Sequence, residues 1–400
     1  MIGGGAAGMM AAGRAGERGK KVLLLEKNKK LGQKLNITGG GRCNITNAEF
    51  DTQILLKNYG TAASFLFSPF SQFGVQDTFT FFESRGLPLI VEEGKRAFPK
   101  TQRAEDVVRV LEKYVRHSGV TIKTNAHISD ILKEGSRVTG VISDGVTYLS
   151  GGVIIATGGA SHPQTGSTGD GFTWLKHLGH TIHNPTPTLV PMVVREKKIK
   201  KLAGVSRKDI KITFFCDRKK RFSKKGNLLF THFGISGPVV LNSSTKVGDL
   251  LHEGVVTAVI DFFPDINERE LEEKMIALFD ANKNKALKNI FSVLAPVQLL
   301  DFSDEVIGDT KVHSITREQR KILLHTLKYF TLTITDLMGL DNAIVVDGGL
   351  DLHEIKNKTM ESTLIKNLYI VGDLLHIRRP SGGYSLQLCW TTGWVAGNAS

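Results

Sequence analysis

Small and apolar residues recur at helical spacing through 6–18, and KVLLLE at 21–26 then reads as a strand buried on both faces. Amphipathic helical patterns return at 75–85 and 103–117. A strand is predicted over 120–124. A small β-meander follows over 126–150, with turns at 134–136 and 144–145. Residues 152–157 form another apolar strand before a glycine-rich loop, and Thr168-Gly-Asp-Gly opens a helix that Gly179 closes.

Three prolines fall within residues 185–191 and mark a boundary. Strands and loops continue to about 262. Charged helical sequence runs from 267 to about 320, and a strand over 330–335 follows. A glycine-rich β-α pattern then resumes, with a strand at 368–371 and a helix from Tyr384. The predicted organisation is a discontinuous nucleotide-binding domain, 1–183 and 343–400. Its insertion spans 184–342 and is β-rich at 184–264 and 327–342, helical at 265–326.

Gly3-Gly4-Gly5-Ala6-Ala7-Gly8 is GxGxxG, and Glu26 ends the strand after the first helix. In this fingerprint the first glycine makes the turn and the second lets a pyrophosphate reach the backbone. The third packs helix on strand, and the acid binds a ribose hydroxyl. Alone the motif is a weak signal; the strand and acid make it a strong one. The strand leading into Gly3 has only Met1 and Ile2, so about five further residues are expected before it, from a misassigned start or a truncation.

Gly39-Gly40-Gly41-Arg42 is a candidate anion nest with a guanidinium beside it. Cys43 is expected to be a packing residue. A strand ends in Thr157-Gly158, where a second crossover returns to a dinucleotide crevice. Another ends in Gly372-Asp373, whose carboxylate suits the hydroxyls of a ribityl chain. Gly383-Tyr384 then starts a helix whose positive end suits a reduced flavin ring.

The 42 glycines cluster at 3–8, 39–41, 158–171, 348–349 and 382–383, where backbone turns tightly or approaches a ligand. The net charge of +13 comes with short basic runs at 27–30, 197–201 and 218–225. With only Phe222 interleaved, they read as solvated surface rather than a stable nucleic-acid partner. Three cysteines without a CxxC pair argue for a reducing compartment and against a redox dithiol; no metal site is expected. No apolar stretch approaches the roughly 18 residues of a membrane span, and a cytoplasmic location is the expectation.

The ordered set GGGAAG…E, KLNITGGGRCNITN, ATGG…PQTGSTGDG, LFTHFGISGP, TMES and YIVGD…SGGYSLQ resembles the FAD-dependent flavoprotein family that includes aminoacetone oxidase and the bile-acid-pathway reductase BaiN. The resemblance covers nearly the whole chain. It implies an α/β fold: a glutathione-reductase-like, Rossmann-type FAD-binding domain with an inserted β-barrel-like domain and a helical lid. By motif, noncovalent FAD would contact Gly3, Gly5, Gly8, Glu26, Lys27, Lys34, Gly41, Arg42, Asn44, Thr157, Gly158, Asp170, Gly372, Asp373, Gly383 and Tyr384. The family's usual acid-containing stretch GEVLDIDGxTGGYN is here GDLLHIRRPSGGYS. His376, Arg378 and Arg379 are therefore candidate substrate residues, and the two arginines suggest an anionic substrate.

One dinucleotide fingerprint and no second GxGxxG leave two electron routes open: dioxygen as acceptor, or NAD(P)H docking transiently. The expected reaction moves hydride to or from a small organic substrate. His232, in the insertion, is the candidate general acid or base by residue type, and Tyr384 is a flavin or packing contact rather than a proton donor, though it stays a catalytic candidate. A tRNA-modifying flavoprotein and a flavin-binding protein without turnover are the alternatives. The oligomeric state is not legible.

Overall fold

The computed structural model describes residues 1–303, 308–339 and 345–400. It divides into two compact units, 1–187 with 340–400, and 188–339. The expected boundary at 342/343 lies outside the described residues.

The first unit is built on a parallel sheet. Leu23–Leu25 pairs in parallel with Thr121–Lys123, and Val153–Ile155 with Leu368–Ile370. Ile2 joins the two pairs, bridging in parallel to both Leu25 and Ile155. Its N–H donates to the Ile154 carbonyl at 2.9 Å, and its carbonyl accepts from Ala156 at 2.8 Å. Two residues thus hold the central-strand position directly before the glycine loop. Strands Val153–Ile155 and Leu368–Ile370 are wholly buried, as apolar runs in parallel sheets must be when both faces are covered. The expected meander is three antiparallel strands, Ile128–Glu134, Arg137–Ser143 and Val146–Leu149. Asp144 and Gly145 both take positive φ in the second turn, as a two-residue hairpin loop requires.

The first helix, Ala6–Glu17, is buried along most of its length because its residues are small. A methyl on Gly13 would lie 2.2 Å from the Tyr114 ring of helix Ala104–His117. The last helix, Tyr384–Ala399, packs directly on the backbone of the first: methyls on Gly393 and Gly397 would lie 2.4 and 2.3 Å from the Ala7 and Ala11 carbonyl oxygens. Helices Thr52–Leu56 and Ala63–Gln72, and strands Thr46–Asn47, Leu89–Glu92 and Arg96–Pro99, had no clear sequence pattern. The second of these helices carries an internal proline, Pro69.

The second unit holds a closed six-stranded antiparallel barrel. Its order is Met192–Val194, Gly234–Ser236, Lys219–Phe230, Ser206–Cys216, Val256–Asp261 and Phe330–Leu337. Ile210, Ile212, Phe214 and Cys216 alternate inward along one strand. Helices Glu268–Asp280 and Arg317–Lys328 each begin with a capping box, Asn267 with Glu270 and Thr316 with Gln319. Their Leu271, Met275, Leu323 and Leu327 share one core with barrel residues Phe214, Phe230 and Ile260. Lys328, at the end of the second helix, is buried yet satisfied. Its ammonium donates to Asp261 Oδ2 and to the Phe263 and Ile266 carbonyls at 2.8–2.9 Å.

Gly397→Ala forces a methyl against the Ala11 carbonyl, where both groups are backbone and neither can rotate away. It should lower stability by about 1–3 kcal/mol, the usual cost of overpacking, read as an earlier urea midpoint.

Candidate functional site

A cleft in the first unit is lined by the glycine loop, the end of strand Leu23–Leu25, residues 32–35, the loop after Val153–Ile155 and the segments around 372–373 and 385–389. The three fingerprint glycines serve different ends. Gly3 has φ +96° and a methyl there would lie 2.5 Å from the Ala156 carbonyl oxygen; on Gly8 it would lie 1.9 Å from the Gly3 oxygen. Both are packing constraints. At Gly5 a methyl would meet nothing within 4 Å, so its backbone stands open to the cleft. Helix Ala6–Glu17 begins there with no acidic residue in its first turn and no side-chain cap, leaving amide donors for an anion.

Glu26 is buried with both carboxylate oxygens fixed. Oε2 accepts from the Gly4 amide and Oε1 from the Asn28 amide, each at 2.7 Å. The Asn28 side chain donates to the Thr165 carbonyl at 3.1 Å, tying this strand end to the loop after 158. Lys27 reaches the same loop, donating to Thr168 Oγ1 and to Asp170 Oδ2 at 2.8 Å. Burial pushes the Asp170 carboxyl up, but the hydrogen bonds from Lys27 and Thr168 outweigh it and hold the group below the usual aspartate range. Ala126, Ile128 and Trp174 give this end of the cleft an apolar wall.

Asp373, also in the lining, sits between two cations. Arg379 Nη2 donates to Oδ1, and Lys34 Nζ lies 3.6 Å from Oδ2. Burial raises the Asp373 carboxyl, and Arg379 and Lys34 more than offset this, holding it below the ordinary value. Lys34 also donates to Ser161 Oγ at 2.7 Å, and Arg379 Nε to Ser385 Oγ at 3.0 Å. Cys389 lines the cleft and Cys43 lies outside its wall; burial pushes each thiol up to about 12, so neither is a thiolate at neutral pH.

The remaining sequence candidates are distributed differently. Thr157, Gly158, Gly372 and Lys34 line the cleft; Gly41, Arg42, Asn44, Gly383 and Tyr384 do not. Arg42 is engaged elsewhere: Nη1 donates to Glu92 Oε1 at 2.9 Å and Gln102 Oε1 at 2.8 Å, and the guanidinium lies 4.0 Å over Phe98. Asn44, with its amide oxygen accepting from the Gly383 amide at 2.9 Å, latches the glycine-rich loop to the start of the last helix. The Tyr384 ring meets Tyr59 edge-on at 5.8 Å, and its carbonyl accepts from the Tyr59 hydroxyl. His232 is exposed in the second unit, in the loop between Lys219–Phe230 and Gly234–Ser236, with its ring 4.8 Å from Phe233.

The cationic stretch splits. Arg379 is buried, its side chain only 1% exposed, so it has no free face with which to clamp a substrate anion beside Arg378. Arg378 and His376 turn to Asp347 instead. Arg378 Nε lies 2.5 Å from Oδ2, and His376 Nε2 lies 3.3 Å from Oδ1 without hydrogen-bond alignment. Burial holds His376 below its ordinary value, as does His183, whose ring lies 4.2 Å away; Asp347 opposes both. Asn28, Ser161, Ser385 and Trp174 were missed. Only Asn28, two residues beyond the acid of the fingerprint, had a local signal.

The donor set fits a dinucleotide. An open glycine backbone faces a free helix end, two fixed carboxylates line the cleft, and Thr157 Oγ1, in the wall, is buried without a hydrogen-bond partner among the described residues. Fold and site together define an FAD-dependent oxidoreductase with a Rossmann-type domain. The chain belongs to the family described as HI0933-like protein Rossmann domain, whose model matches residues 1–399. It is 32% identical over 407 residues to the 3-dehydro-bile acid delta(4,6)-reductase of Clostridium scindens, covering 100% of this chain and 98% of that protein. It is 27% identical to the ribosomal RNA dihydrouridine synthase of Escherichia coli, covering 99% and 96%. In fold it is similar to the 3-ketosteroid-delta4-(5alpha)-dehydrogenase of Rhodococcus jostii RHA1, with a TM-score of 0.56 at 14% identity, covering 100% and 95%.

Glu26→Ala removes an acceptor already oriented by two amides. FAD retention should weaken by about 1–3 kcal/mol, measured as the dissociation constant for FAD added to apoprotein.

Proposed function

We propose that this chain is a reductase that saturates a carbon–carbon double bond conjugated to a carbonyl, with FAD as the hydride carrier and NAD(P)H as a transiently docked donor. The observation that carries it is the cleft of the first unit. One end is built to hold an adenosine ribose at Glu26, and the other a ribityl chain at Asp373. The direction of reaction is supported by two relatives that match along nearly their whole length and whose names describe saturation of ring double bonds.

Bound FAD supplies hydride transfer. The residues around it hold and orient. The Gly5 backbone and the first helix end would receive the pyrophosphate, Glu26 would accept from a ribose hydroxyl, and Asp373, kept ionised by its two cations, would accept from the ribityl chain. Thr157 Oγ1, unpartnered among the described residues, would have an acceptor or donor in the cofactor. His232, exposed in the second unit, is our candidate general acid by residue type. Burial pushes the Tyr384 phenol up, and we assign the residue to packing or to proton donation.

A second reading, ribosomal RNA as substrate, is favoured by one feature. Residues 188–264 hold 15 Lys and Arg against 6 Asp and Glu, a net +9 of the chain's +13. Such a surface attracts a polyanion.

Anaerobic titration separates the readings. NADH or NADPH should bleach the flavin, and a 3-oxo-Δ4 steroid should reoxidise it at a rate little changed between low and high salt. Reoxidation by unmodified ribosomal RNA alone, weakening steeply with salt, selects the second reading. Reoxidation by dioxygen only makes the protein an oxidase. A flavin that no donor bleaches makes it a binding protein without turnover.

A further inference from the structure

We propose that Arg379 and Lys34 act together as a fixed positive charge that raises the reduction potential of the bound flavin, an inference that rests on FAD occupying the cleft. Two cations flank one carboxylate. Arg379, Asp373 and Lys34 have side-chain exposures of 1%, 14% and 22%, so the trio carries a net +1 where water screens it poorly.

The charges are also immobile. Arg379 donates from Nη2 to Asp373, from Nε to Ser385 Oγ at 3.0 Å and from Nη1 to the Ile377 carbonyl at 2.5 Å. Lys34 is held by Ser161 Oγ at 2.7 Å. Asp373 and Ser385 both line the cleft, which places the guanidinium one hydrogen bond behind its wall. Helix Tyr384–Ala399 begins beside it, with no acid in its first turn and no side-chain cap, so its positive end is not neutralised.

A flavin that takes two electrons and one proton becomes an anion. A preorganised positive charge stabilises that anion over the neutral oxidised ring without reorganising as the charge develops. Glu26, at the opposite end, is held by neutral amides and adds no such bias. Arg379 acts through Asp373 and Ser385, and is a positioning residue.

The test is a charge series read by the two-electron potential of FAD-loaded protein, with thermal unfolding measured alongside. Arg379→Gln brings the trio to neutral and should weaken the preference for reduced flavin about tenfold, a fall of about 30 mV. Asp373→Asn brings it to +2 and should raise the potential by a similar step. The double variant, Asp373→Asn with Arg379→Gln, is again +1 and should return to the parent value, and Arg379→Lys should keep it. If Arg379→Gln does not fold with its buried carboxylate unpaired, the comparison of Asp373→Asn with the double variant decides, since they differ by the same single charge. Potentials that do not follow the charge order while FAD stays bound overturn the proposal. A parent protein that binds no FAD overturns the cofactor assignment instead.

Discussion

The cofactor cleft depends on a contact made without side chains. Gly393 and Gly397 bring the last helix onto the Ala7 and Ala11 carbonyls of the first, closer than any other residue allows. Gly372 extends the contact: a methyl there would lie 3.1 Å from the Ala7 side chain, and its amide donates to Thr392 Oγ1 of the same last helix. Residues more than 360 positions apart thereby become opposite walls of one cleft. The interruption of the nucleotide-binding unit by 188–339 is tolerated because this joint does not depend on chain continuity.

The two carboxylates of the cleft are stabilised by different physics. Glu26 is held by backbone dipoles, which orient it, and among the described residues no formal cation pairs with it within hydrogen-bond reach. Asp373 is held by a guanidinium and an ammonium, which together exceed its charge. An acceptor for hydroxyl groups results in both cases. Only the second also gives the surrounding space a positive sign, and the proposed effect on the flavin rests on that difference. The same difference explains why Arg379 is buried although arginine rarely is: it has a partner for each of its donor nitrogens.

Elements whose cause is local were readable in the sequence. The first helix, its following strand, the meander and the last helix announce themselves by spacing, and Glu26 by its distance from the glycines. Long-range pairing was not readable. The glycine-rich nest suggested Arg42 as an anion donor, but Glu92 and Gln102, 50 and 60 residues away, take its Nη1. The doublet Arg378-Arg379 looked uniform, yet one residue turns to Asp373 and the other to Asp347, which belongs to a strand that approaches through close backbone contacts at Gly348 and Gly349. Adjacent residues in an irregular segment have no period to say which way each points. The basic runs at 197–201 and 218–225 were read as solvated surface, and that both fall in one compact unit emerges only from the fold.

The central claim is that one cleft, assembled from both ends of the chain, holds a dinucleotide flavin at Glu26 and Asp373. Denaturing the purified folded protein and separating what it releases tests this most directly. The account requires FAD, in stoichiometric amount, because a carboxylate at the ribose position has no use in a mononucleotide site. FMN in its place, or a folded protein that releases no flavin and takes up none, would contradict it.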